Sequence, residues 1–72
     1  MKISYDKTVD AMYIKLRSGR VDHTKKVTRD VLVNVSEKGE ILGLEILDAS
    51  RILGKKDPKD LKIEFSPQAS SI

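Results

Sequence analysis

The stretch Val31–Leu47, VLVNVSEKGEILGLEIL, decides how this chain folds. Val31, Val33 and Val35 alternate with Leu32, Asn34 and Ser36, the period-two pattern of a strand with one buried face. In the second run Leu42, Leu44 and Ile46 share one face, while Ile41, Gly43, Glu45 and Leu47 share the other. β-branched residues dominate the first run and Gly39 falls between the two, which predicts a hairpin. Two registers compete. A three-residue loop, Glu37-Lys38-Gly39, pairs Ser36 with Glu40 and sets the valines beside Gly43 and Glu45. A four-residue loop sets them beside Leu42 and Leu44. Because a one-residue slip turns over a whole face, burial favours the longer loop or a bulge. Leu32, Ile41 and Leu47 then lie on the opposite face, where the C-terminal segment or a second chain must cover them.

Working outward, Lys2–Tyr5 reads as a short first strand, and Ala11–Arg17 as a second with Met12, Ile14 and Leu16 inward. Val21–Arg29 is a charged, weakly alternating strand whose lysines suit a sheet edge. Short connections predict that neighbours in sequence pair as an antiparallel meander. After Leu47 the pattern changes: Asp48 is placed to cap a short helix, Ala49–Leu53, ended by Gly54. Leu61–Phe65 alternates as a further strand, able to cover or extend the sheet, and residues 66–72 read as a flexible tail. The fold class expected is therefore α+β, mainly β. It is a small antiparallel meander of four to five strands, with one short helix after the central hairpin. One domain spans residues 1–65.

Composition narrows the function classes. At 72 residues the chain lies near the lower limit for folding without staples, and an aliphatic core this small invites dimerisation. With no cysteine there is neither a disulfide framework nor a thiolate metal site. No stretch has the length of a signal peptide or a membrane span, so the expected location is the cytoplasm, with no membrane partner. Few amides beside many Lys and Glu fit a thermophile.

Three blocks occur in order: Tyr5-Asp6; Asp10-Ala11-Met12-Tyr13-Ile14 with Leu16; and Gly39–Ser50, GEILGLEILDAS. Together they resemble the small prokaryotic family catalogued as domain of unknown function 2283, over residues 1–53. The resemblance implies a short antiparallel sheet with a small helical element and supplies no catalytic residues. Members can be encoded beside small toxin-like proteins, which implies an antitoxin or interaction role by association. The hairpin turn departs from relatives richer in acidic residues. Asn34, Ser36, Lys38 and Gly39 echo the start of a calcium loop, but Lys38 puts an ammonium where an oxygen ligand is needed, and an ordinary turn is the better reading.

Candidate chemistry is sparse. Asp6 and Asp10 fit turn caps better than a carboxylate pair for acid–base work. His23, the single histidine, sits among polar neighbours with no identifiable orienting carboxylate or nucleophile. Glu45, between Leu44 and Ile46, is expected to face solvent or to pair with Lys15, Arg17 or Arg29. No cofactor or metal is implied. The function expected is a non-catalytic protein-interaction module, antitoxin-like, acting as a homodimer or with a small partner, its contact surface Tyr13, Leu32, Ile41 and Leu47. The alternative is a weak nucleic-acid binder using Lys25, Lys26, Arg29, Arg51, Lys55, Lys56, Lys59 and Lys62. Interleaved acids dilute that field.

Overall fold

The computed structural model describes residues 1–54 and Glu64. Five antiparallel strands form one sheet: β1 (Lys2–Asp6), β2 (Ala11–Lys15), β3 (His23–Lys26), β4 (Val31–Val35) and β5 (Ile41–Ile46), followed by one short helix, α1 (Ala49–Ile52). The mainly β, α+β class is as the alternation predicts. The strand read over Leu61–Phe65 and the tail lie outside the described residues.

The strand order is β1-β2-β5-β4-β3, which corrects the simple meander at one point. β2 pairs with β5, through Met12↔Ile46 and Ile14↔Leu44, and not with β3. Apolar surface explains this. β5 carries Leu44 and Ile46 toward the face of Met12 and Ile14, whereas all four residues of β3 are exposed and its lysines belong at the edge. The chain reaches that far edge by crossing the ends of β5 and β4. The amides of Leu16 and Arg17 donate to the Leu42 carbonyl at 2.8 and 3.2 Å, and the amide of Asp22 donates to the Val35 carbonyl at 2.9 Å.

Both hairpin registers contribute. At the turn the three-residue loop holds: the Ser36 amide donates to the Glu40 carbonyl at 2.9 Å, and Gly39 adopts φ 85°, a left-handed conformation that favours glycine. Beyond it Val35 opposes Ile41 but Asn34 opposes Gly43, so Leu42 is the extra residue of a bulge. The bulge restores Val33↔Leu44 and Val31↔Ile46, the pairing that burial demands.

The sheet has two unlike faces. One carries the cross-strand row Ile3–Ile14–Leu44–Val33 and, beside it, Tyr5–Met12–Ile46–Val31. Met12, Val35, Leu42 and Ala49 form the buried core, and among the described residues no large side chain is fully buried. The other face carries Ser4–Tyr13–Glu45–Leu32–Lys26 and Lys2–Lys15–Gly43–Asn34–Thr24. The bulge sends Ile41 to the apolar face, opposite Val35 and 51 % exposed, away from Tyr13 and Leu32.

Helix α1 is capped from elsewhere in the chain. Asp48 occupies the N-cap position in a left-handed conformation (φ 52°) and makes no side-chain cap bond, contrary to the expectation from sequence. Its carboxylate pairs with Arg51 instead. Asp10 performs the capping: its carbonyl accepts from the Ala49 amide at 2.9 Å and its carboxylate accepts from the Ser50 amide at 3.1 Å. Two of the orphan donors at the helix start are thereby satisfied by a loop forty positions away in the chain.

Candidate functional site

Tyr13 organises the polar face. Gly43 opposes Lys15, two residues from Tyr13 on the same face, and an added Cβ there would meet the Tyr13 Oη at 2.5 Å and the Ile14 carbonyl oxygen at 2.9 Å. Only glycine leaves room for the ring to lie across β5. The Tyr13 hydroxyl accepts from the Asn34 Nδ2 at 3.2 Å, and the Asn34 Oδ1 accepts from the Thr24 hydroxyl at 2.9 Å. Asn34 is buried at 6 % exposure, so these two bonds satisfy an amide that would be costly to leave unpaired. The chain Tyr13–Asn34–Thr24 thus spans β2, β4 and β3 over a bare glycine on β5.

Beside it lies a groove of about 320 Å³ whose lining includes Asp6, Val9, Ala11, Tyr13, Glu45 and Leu47. Leu47 and Val9 expose apolar surface there, at 41 % and 65 %. Glu45 is half-buried between Tyr13 and Leu32 in its cross-strand row. The ion pair expected from sequence does not form among the described residues. Arg17 binds Glu40 at 3.0 Å and Arg29 lies 3.7 Å from Asp30. Lys15 is the diagonal neighbour of Glu45, but the Tyr13 ring, running over Gly43 to Asn34, occupies the space between them.

The remaining candidates disperse. Of the four residues expected to form a contact surface, Tyr13, Leu32 and Leu47 share the polar face and Ile41 does not. Lys25 opposes Val33 and Lys26 opposes Leu32, which puts them on opposite faces. Arg51 bridges Asp48 and Asp30, its Nη2 2.8 Å from the Asp30 carboxylate. Its pKa is raised, chiefly by the hydrogen bond and charge of Asp48. Lys55, Lys56, Lys59 and Lys62 lie outside the described residues. Asp30 therefore takes up two of the arginines counted for a basic surface.

Asp6 and Asp10 act as turn residues. Asp6 accepts from the Thr8 amide at 2.9 Å, and Asp10 accepts from the Tyr5 hydroxyl and the Ser50 hydroxyl, each at 2.7 Å. The Tyr5 bond, then that of Ser50, lowers the Asp10 pKa below 3.8 against the opposing effect of desolvation. The Tyr5–Asp10–Ser50 cluster has no signature in local sequence, because Ser50 lies beyond four strands. His23 does have a carboxylate neighbour, which the sequence reading missed: its Nδ1 lies 2.8 Å from the Asp22 carboxylate, both groups exposed. Among the described residues no group of His, Asp and Glu side chains is arranged to hold a metal ion, and no helix is long and apolar enough to cross a membrane.

Neither the curated proteins nor the solved structures include a match to this chain. A family model does match, over residues 2–50, and covers the five strands and the start of α1. The chain belongs to the family described as protein of unknown function (DUF2283).

Proposed function

We propose that the protein is a non-catalytic interaction module of the cytoplasm, antitoxin-like in working by occupying a small partner protein or a second copy of itself. The observation that carries this reading is Glu45, a half-buried carboxylate that pairs with no cation among the described residues, at the wall of a groove lined by Tyr13 and Leu47. A carboxylate between two apolar side chains is stabilised when a docking surface brings a cation and excludes water. Exposed Leu47 and Val9 supply the apolar contact around it.

The test is a pull-down from the source cell's lysate with wild-type chain and a Leu32→Asp/Leu47→Asp variant, each run with and without nuclease. A stoichiometric protein that survives nuclease and is lost with the variant supports the module, provided the variant keeps its far-UV circular dichroism. Binding indifferent to the two substitutions, or a partner lost after nuclease, overturns it. The second outcome would transfer attention to the basic residues.

A further inference from the structure

Apart from Lys26 at the β3 edge, the polar face carries its charges at two ends. Lys2 and Lys15 stand directly opposite one another at one end, and Asp6 and Glu45 lie toward the other, with Tyr13 between. Like charges in register across neighbouring strands are unfavourable, and the pairing of Ile3 with Ile14 on the reverse face dictates that register. No carboxylate among the described residues pairs with either lysine, and no cation among them pairs with Asp6 or Glu45. The Tyr13 ring separates the nearest opposite charges, Lys15 and Glu45, within one chain.

We propose that this face seats a second copy of the chain, related by a two-fold axis that runs across the strands between the Tyr13 and Lys15 rows. The inference rests on the interaction-module reading and names the occupant of its surface. Such an axis lays the acidic end of each copy over the basic end of the other, so that one residue pair is made twice. Glu45 of one copy comes to lie over the second copy's Tyr13 hydroxyl, which covers Gly43 and can donate its proton to the carboxylate, with Lys15 adjacent. Lys15 in turn lies over the Tyr13 ring, a cation–π contact. A face of five strands, about 4.8 Å apart and about five residues long, offers roughly 400 Å² per copy. Two copies therefore bury about 800 Å², below the usual range for a tight complex, and the dimer is weak and concentration-dependent.

Sedimentation equilibrium over roughly 10 µM to 1 mM tests this directly. The wild-type chain is expected to dimerise reversibly, less so at high salt. Glu45→Lys alone and Lys15→Glu alone should each weaken association by about tenfold or more, and the two together should restore it. Circular dichroism and urea midpoints of the single variants establish that they remain folded. A wild-type chain monomeric throughout, or a double swap no better than either single, overturns the proposal. If that monomer still holds a lysate protein through Leu32 and Leu47, the module stands and its occupant is a different protein.

Discussion

Along the row Ile3–Ile14–Leu44–Val33, four half-buried aliphatic side chains share the work of one face. Directly behind them, Tyr13, Gly43, Asn34 and Thr24 hold the other face through single contacts that only one residue type can make. On the first face loss is graded, because apolar burial scales with area. On the second, position matters more than area. Substitution should therefore follow size on one side of the sheet and geometry on the other.

The largest expected effect is on the polar face. Gly43→Ala inserts a methyl group against the Ile14 carbonyl, which belongs to the backbone and cannot swing aside. Urea denaturation should register a loss of about 3 kcal/mol. If the Tyr13 hydroxyl alone is the obstacle, the penalty vanishes in a Tyr13→Ala background and the comparison between faces weakens. Leu44→Ala, on the apolar face, should cost about 2 kcal/mol by lost burial, with Leu44→Met costing far less. Equal losses for those two variants would show that shape, not area, governs that face too.

The strands were accessible to sequence reading because each carries its own alternation, which depends on nothing outside the segment. Val31, Val33 and Val35 mark a strand whatever lies beside it. The neighbour of β2 is not a local property: choosing β5 over β3 requires comparing apolar surface across thirty residues. The bulge at Leu42 is likewise a settlement between turn chemistry, which favours three loop residues, and burial, which favours four. Of the site, Tyr13, Leu32 and Leu47 are visible as residual apolar positions, and the bulge alone displaced Ile41. That Glu45 pairs with no cation among the described residues depends on where the Tyr13 ring lies over Gly43, and the capping by Asp10 on where Ser50 arrives. Neither is encoded within a window of sequence.

Smaller effects separate the faces further. Asp10→Asn keeps a side chain that tolerates φ 50° while removing the charge, so it should lower the urea midpoint by less than Leu44→Ala. Its pH dependence is the sharper readout. Because the carboxyl pKa is depressed in the folded chain, its stabilising contribution is present above the unfolded value and lost as pH falls below 3.8. Urea midpoints of wild type should therefore drop as pH falls through the acid range, and those of Asp10→Asn should drop less. Tyr13→Phe removes the acceptor of the buried Asn34 amide and should cost about 1 kcal/mol. Lys25→Thr, on the exposed edge, should change stability by about 0.5 kcal/mol or less. A large loss there would mean that β3 is anchored by more than its backbone ladder.

The crossing of residues 16–22 over the ends of β5 and β4 bears on how the chain reaches its native state. It divides the sheet into two pieces that close locally: β1 with β2, and β3 with β4 and β5. A single non-local seam joins them, where Met12 meets Ile46 and Tyr13 meets Glu45. Closing that seam encloses nearly half the chain in a loop, so its entropy sets the folding rate while the hairpins form quickly on either side. Hydrogen exchange along β2 and β5 would then report the opening of the seam, and shortening the crossing loop would act on the speed of folding before it acted on the shape of the sheet.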